Sequence, residues 1–149
     1  MYGHVAQLAE AVKSGIESAG GHSPTIYQIE ETLSDEELGR MHSNPVRQFS
    51  RPVEGLFFST ATLGGGQEST ALAIMSTLAH HGMVYVPLGY KFAPQLADVS
   101  EVHGGGPWGA GTIAGDDSSR QPSRLEREIA AIQGRGFYEF VKKIQFRED

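Results

Sequence analysis

Cysteine is missing from all 149 residues of the chain, which removes disulfide staples, thiolate metal sites and a cysteine nucleophile from consideration together. Long apolar runs are missing too. No segment approaches the roughly 18 residues of a spanning helix, and no charged stretch followed by an apolar one marks a signal peptide. The expectation is a cytoplasmic protein with no transmembrane segment. Positive charge is scarce, with 12 Lys and Arg against 18 Asp and Glu for a net charge of −6. The basic residues form no stripe, so nucleic acid is not an expected partner. The pattern G-x-x-x-x-G-K-[ST] does not occur, which excludes a P-loop nucleotide hydrolase. Nor does G-x-S-x-G, which argues against Ser-His-Asp catalysis on a nucleophile elbow. Asp116 and Asp117 lack the spacing and terminal glutamate of a calcium loop. His80 and His81 are adjacent at a helix end, about 100° apart, rather than converging as i, i+4 ligands do. No metal site is expected.

What is present suits a packed fold. The chain is 39% hydrophobic and 20% charged, ordinary for a globular domain, and its length argues for one domain spanning 1–149. Val5, Leu8, Ala9, Val12 and Ile16 recur on one face of a helix that Gly20 and Gly21 stop. TIYQIE (25–30) reads as a strand. Ser34 and Glu37 make a capping box for a short helix; 42–54 reads as a loop. GLFFST (55–60) is the near-continuous apolar run of a strand buried on both faces. A second helical stripe, Ala71, Leu72, Met75, Leu78 and Ala79, ends at Gly82, and MVYVPL (83–88) follows as another buried strand. The glycine-rich stretch 89–122 has no strong period and reads as a long irregular excursion. Ser123 and Glu126 form a second capping box, opening a helix with Leu125, Ile129, Ile132, Phe140 and Val141 inward. Short apolar strands between amphipathic helices predict an α/β sandwich around a parallel sheet.

In such a sheet the ligand crevice lies beyond the carboxyl ends of the strands. STATLGGGQES (59–69) occupies that place. Its glycines allow backbone N–H groups to approach a flat or anionic ligand, with the Thr60 and Thr62 hydroxyls as further donors. A plain strand-to-helix turn would use the same residues. MYGHV offers an anion site at the start of the first helix. GGGPWG (104–109) matches G-x-G-x-x-G only literally, since neither a clear strand nor a helix flanks it.

Together, MYGHV, GGGQESTALAIMSTLAHHGMVYVPLGY, LADVSEVHGGGPWGAGTIAGDDSSRQPS and the closing helix resemble the WrbA-type flavodoxin-like NAD(P)H:quinone oxidoreductases, particularly their fungal branch. The resemblance covers residues 1 to about 42 and 55 to the end. It implies a flavodoxin-like three-layer sandwich on a parallel sheet of order 2-1-3-4-5, with FMN at the strand ends. It also implies NADH or NADPH as electron donor, a quinone as substrate, and a homo-oligomer, the tetramer of the family. By the same resemblance Tyr2, Gly3, His4 and Val5 match the loop holding the FMN phosphate. Ser59, Thr60, Ala61, Thr62, Gly64 and Gly65 match the second flavin loop, and His80 the histidine reaching the ring. Ala61 stands where the family has glycine, which restricts a turn needing positive φ. No residue is assigned a catalytic role.

Members of the family carry an apolar strand and a serine ahead of the Met-Tyr-Gly-His turn. They also carry a third strand, a Pro-Thr-Arg-Tyr-Gly-Asn-like loop, a helix and a Trp-containing segment where this chain has residues 42–54. The resemblance therefore predicts an incomplete sandwich lacking strands 1 and 3, with impaired flavin binding. The competing reading is a non-catalytic remnant acting at most as an oligomer partner. On either reading 55–60 and 83–88 should pair in parallel, and Trp108 should be partly exposed in the single chain.

Overall fold

The computed structural model describes residues 3–26 and 53–144. Helix α1 spans His4–Ser18, strand β1 Val53–Glu54, β2 Leu56–Thr60, helix α2 Gln67–His80, β3 Val84–Tyr85, a 3-10 turn Pro94–Ala97, β4 Gly109–Ile113 and helix α3 Arg124–Val141. Residues 27–30 of the expected first strand, the expected Ser34 helix and most of the 42–54 loop lie outside the described residues, and 25–26 have no regular structure.

The named strands of the described residues pair in parallel, and one isolated antiparallel bridge joins Gly106 to Gly109 at the start of β4. Val53 and Glu54 pair with Val84 and Tyr85, and Leu56–Thr60 pair with Gly109–Ile113 in register. The carbonyls of Glu54 and Thr60 accept from Val86 N–H and Ala114 N–H. Alternate residues of a strand direct their hydrogen-bonding groups to opposite edges, so β3 and β4 lie end to end along one edge of 53–60. The expected parallel arrangement holds, but the partners differ. The main partner of 56–60 is 109–113, inside the stretch read as an irregular excursion, and 83–88 contributes only two paired residues to 53–54, the last two positions of the expected loop. At the joint Gln133 takes the place of a peptide unit: its Nε2 donates to Leu56 O at 2.7 Å and its Oε1 accepts Ala110 N–H at 2.7 Å.

Strand β4 is buried along its whole length, whereas every residue of β2 is only partly covered, reversing the burial expected for the apolar run GLFFST. Alternation along β4 defines the layers. Ala110 joins the core cluster with Leu8, Ile129 and Ala130 of α1 and α3. Gly111 faces the other way, where an added Cβ would meet Gln67 Oε1 of α2 at 2.3 Å. Helices α1 and α3 thus cover one face and α2 the other. The result is an α/β layered arrangement on two short parallel two-stranded sheets, 53–54 with 84–85 and 56–60 with 109–113, consistent with an incomplete flavodoxin-like sandwich.

The most extensive contact between elements is α1 on α3, and two glycines set its distance. A Cβ on Gly15 would lie 1.9 Å from Ala131 O, and one on Gly134 would lie 1.9 Å from Val12 O. This backbone-to-backbone approach rotates α1 from its expected face. His4, Leu8 and Gly15 are buried, while Val5, expected inward, is 41% exposed. Similar corrections apply to Phe140 on α3 and to Leu72 and Ala79 on α2, all exposed. Phe140 lies in the last turn of α3, and α2 touches the described sheet chiefly through β2.

The inner face of α3 also carries polar residues. Glu126 is fully buried. Its Oε1 accepts Gly104 N–H at 2.9 Å and Ile113 N–H at 3.3 Å, and its Oε2 accepts Thr112 Oγ1–H at 2.9 Å and Ser123 N–H at 2.7 Å. Arg120 Nη1 lies 3.0 Å from both oxygens and also donates to Ile113 O, while Nη2 donates to Val102 O. Ser123 Oγ accepts Glu126 N–H, completing the expected capping box. Burial pushes the Glu126 carboxyl up, but the N–H groups of Ser123 and Gly104, the Arg120 guanidinium and the Thr112 hydroxyl outweigh it and hold the carboxyl below the usual glutamate range.

Two predictions follow from this packing. Gly134→Ala should destabilise the fold by about 1–3 kcal/mol, the cost of overpacking. Gly136→Ala, two residues along the same helix with nothing within 4 Å of its added Cβ, should stabilise it by about 0.5–1 kcal/mol. Urea midpoints of the two variants moving in the same direction would contradict the helix contact. For Glu126 the lowered folded-state value means that the carboxylate contributes stability above the ordinary glutamate value near ~4.3, which is lost as pH falls through the folded value. Glu126→Gln should cost about 3 kcal/mol at pH 7 and flatten the acid limb of the stability curve. Parallel pH profiles for the parent and the variant would remove Glu126 from that role.

Candidate functional site

The carboxyl ends of β2 and β4 and the amino end of α1 converge on one cavity of about 210 Å³, lined by Gly3, His4, Val5, Ser59, Thr60, Ala61, Ala114 and Ser118. Each wall has a local cause. Gly3 enters the helix in a left-handed conformation, φ 78°, with no side-chain cap, so the first-turn N–H groups point out of the helix end with its positive dipole. Val5, turned away from the core, becomes a wall. His4 is buried, with its Nε2 3.5 Å from Gln121 Nε2. Ser59, Thr60 and Ala61 follow from the end of β2, and Ala114 and Ser118 from the end of β4.

The 59–66 loop is braced from within. Thr60 Oγ1–H donates to Thr62 O at 3.2 Å, and Gly65 N–H donates to the same carbonyl at 3.0 Å. Gly65 must be glycine here, because a Cβ would stand 2.6 Å from Thr60 Cβ. The Thr60 hydroxyl, expected as a ligand donor, thus spends its proton on the loop. Ala61 does not adopt a positive φ: among the described residues the sole non-glycine that does is Ser118, at 59°, so the loop runs without the left-handed turn that a glycine at 61 would allow. From Ala61 to Gly65 the loop is exposed.

Of the expected residues, Gly3, His4, Val5, Ser59, Thr60 and Ala61 meet at this cavity. Thr62, Gly64 and Gly65 belong to the adjoining loop. Tyr2 lies outside the described residues. His80 is the last residue of the 14-residue helix α2, roughly 20 Å from the loop at 1.5 Å per residue. It is exposed, with Nδ1 2.8 Å from Ser76 O; within one chain it does not join the site. Ala114 and Ser118 escaped the sequence reading. Recognising 109–113 as a strand would have exposed them, since they follow its carboxyl end. Trp108 is half-buried, and the Tyr85 hydroxyl donates to its carbonyl, which ties the turn before β4 to β3.

A larger cavity of about 540 Å³ lies between the residues after β3 and the second half of α3, among them Leu88, Phe92, Ile132, Phe137 and Phe140. None of the expected site residues lines it.

The smaller cavity suits an anionic group such as a phosphoryl end: oriented helix N–H groups, small side chains and a serine. Its 210 Å³ falls below the roughly 300–1,000 Å³ of sites that enclose a whole small molecule. The described residues thus fit the phosphate end of FMN and leave its ring largely uncovered. Among the described residues no helix is long and apolar enough to cross a membrane.

No family model matches the chain, but curated relatives do. A NAD(P)H quinone oxidoreductase of Candida albicans is 42% identical over 189 aligned positions covering 96% of this chain and 94% of that protein. Protoplast secreted protein 2 of Saccharomyces cerevisiae is 44% identical, covering 96% and 94%. A quinone-oxidoreductase of Triphysaria versicolor is 37% identical, covering 97% and 92%. The first alignment is longer than the 149 residues available here, so at least 40 of its 189 positions have no counterpart in this chain. With this identity along nearly its whole length, the chain belongs to the family of flavodoxin-like NAD(P)H quinone oxidoreductases.

Proposed function

We propose that this chain is an FMN-dependent NAD(P)H:quinone oxidoreductase by descent whose flavin site is only partly built, so that it binds FMN weakly and turns over slowly. The observation that carries this reading is the convergence of two separated segments, 3–5 and 59–61, on one cavity at the carboxyl end of a parallel sheet. These are the segments whose family counterparts hold flavin. Relatives named NAD(P)H quinone oxidoreductase and quinone-oxidoreductase support the reaction class. When bound, FMN supplies the two-electron chemistry between a nicotinamide and a quinone. The chain's own part is to receive the phosphate on the N–H groups opening α1 and to set one edge of the flavin against 59–65. Tyr2 and His80 join as further contacts, and His80 requires the homo-oligomer, a tetramer as in the family, to approach a flavin. The donor is NADH or NADPH, and the location is cytoplasmic.

The deficit follows from the at least 40 unmatched positions. By the family resemblance they include the loop that covers the other side of the ring. Each tenfold loss of affinity corresponds to about 1.4 kcal/mol, which one or two missing hydrogen bonds to the ring supply. The same gap favours, as second reading, a non-catalytic chain that acts only as an oligomer partner.

Flavin fluorescence quenching on titration, beside NADH and NADPH oxidation with benzoquinone, separates these readings. The expected result is an FMN affinity and a turnover each at least about 100-fold below those of a complete relative, two or more of the losses above. Ala61→Phe, which fills the cavity from an exposed position, should abolish the residual binding without lowering the thermal midpoint. Tight stoichiometric FMN with rapid turnover would show the absent positions to be dispensable. No quenching at millimolar FMN would leave the oligomer-partner reading.

A further inference from the structure

The carboxamide of Gln67, the first residue of α2, lies between three separate segments. Its Nε2 donates to Thr60 Oγ1 at 3.0 Å and to Thr112 O at 2.9 Å, and its Oε1 accepts Gly105 N–H at 2.7 Å. Both of its N–H groups and its carbonyl oxygen are therefore used. Thr60 Oγ1 receives one of those hydrogens and passes its own to Thr62 O, the carbonyl that also takes Gly65 N–H. A chain of bonds thus runs from the backbone of β4 through Gln67 and Thr60 into the exposed 61–65 loop. The direction of the chain matters. A hydroxyl that accepts from Gln67 has its proton free for Thr62 O. Without Gln67, the same hydroxyl is released to rotate toward solvent.

We propose that Gln67 is a positioning residue for the flavin loop: through Thr60 it holds 61–65 in the shape that receives the ligand, and through Gly105 and Thr112 it makes that shape depend on the 104–112 turn and strand. The proposal rests on the flavin reading of the cavity for the identity of the ligand, but the bracing itself does not require flavin. It assigns Gln67 no contact with substrate or cofactor. Neighbouring glycines fit the assignment. A Cβ on Gly111 would strike Gln67 Oε1, and one on Gly65 would strike Thr60, so both glycines leave room for this relay.

The test uses the full chain with Gln67→Leu, Thr60→Val and the double variant, and two readouts. Amide exchange at Gly65 reports the loop without ligand, with the amide of Ile129, buried midway along α3, as internal control. Quenching of FMN fluorescence reports the site. Loss of one such bond should speed exchange at Gly65 and weaken FMN binding each by about tenfold, with Ile129 unchanged in all three variants. Because Gln67 acts on the loop through Thr60, the double variant should be no worse than Gln67→Leu, whereas a purely structural role would make the two effects multiply. Unchanged Gly65 exchange in Gln67→Leu, or multiplicative effects, overturns the positioning role. If the parent binds no FMN while Gly65 exchange still responds as stated, the flavin reading fails and the brace stands. Should Gln67→Leu fail to fold, Thr60→Val alone decides, since it breaks the same relay at the loop end and leaves Gln67 in place.

Discussion

A single buried carboxylate organises this molecule. Glu126 reaches from the first turn of α3 into the interior and accepts from the turn at Gly104, from Thr112 and Ile113 in β4, from its own helix cap at Ser123 and from Arg120. Removing a carboxylate from water is costly, and the cost is offset only when its lone pairs are filled. Here they are filled by groups from three separate stretches, Gly104, Thr112 with Ile113, and Arg120 with Ser123, so the carboxylate is satisfied only if all three are in place at once. Arg120 extends the constraint outward by holding Val102 O and Ile113 O with the same guanidinium. The charge thus converts a helix cap into a tertiary lock.

The lock explains how a glycine-rich segment becomes the best-buried of the described strands. Gly109–Ile113 has little side-chain surface to drive its own burial, and glycine weakens strands in isolation. Helix side chains supply what is missing. Gln133 bridges the ladder between Leu56 O and Ala110 N–H, Gln67 takes Thr112 O, and Glu126 takes Ile113 N–H. Small residues are then an advantage, because the backbones of β2 and of the 104–106 turn pack directly on β4. The same economy governs α1 on α3, where Gly15 and Gly134 bring the helices into backbone contact.

Function inherits this arrangement unevenly. The cavity walls come from the ends of β2 and β4 and from the start of α1, all tied to the locked region, so on the proposed reading the end of the site that would take a phosphate is well formed. At least 40 aligned positions of the Candida albicans relative have no counterpart in this chain, and the proposed weakness at the ring end rests on them. Half-exposed β2, with its Leu-Phe-Phe run, carries the same imprint: its composition suits a strand with neighbours on both sides.

Much of this was legible before any coordinates. The 3.6-residue period announced α1, α2 and α3, the Ser123–Glu126 spacing announced the cap, the apolar runs announced β2 and β3, and long motifs announced the family, because local periodicity and motif identity are written in neighbouring residues. Positions 109–113 were not legible as a strand, since their burial comes from side chains of α2 and α3 rather than from their own hydrophobicity. Ala114 and Ser118 stayed hidden as cavity residues for the same reason. Nor could the helical stripes foretell which way α1 faces, as Val5 against Leu8 is decided by the contact of Gly15 with Ala131. Sequence by itself determined the helices, the apolar strands and the family. The tertiary structure alone decided that Glu126, Gln133 and Gln67 look inward and that His80 stands far from the cavity, because where a long polar side chain ends depends on which backbone groups the fold leaves within its reach.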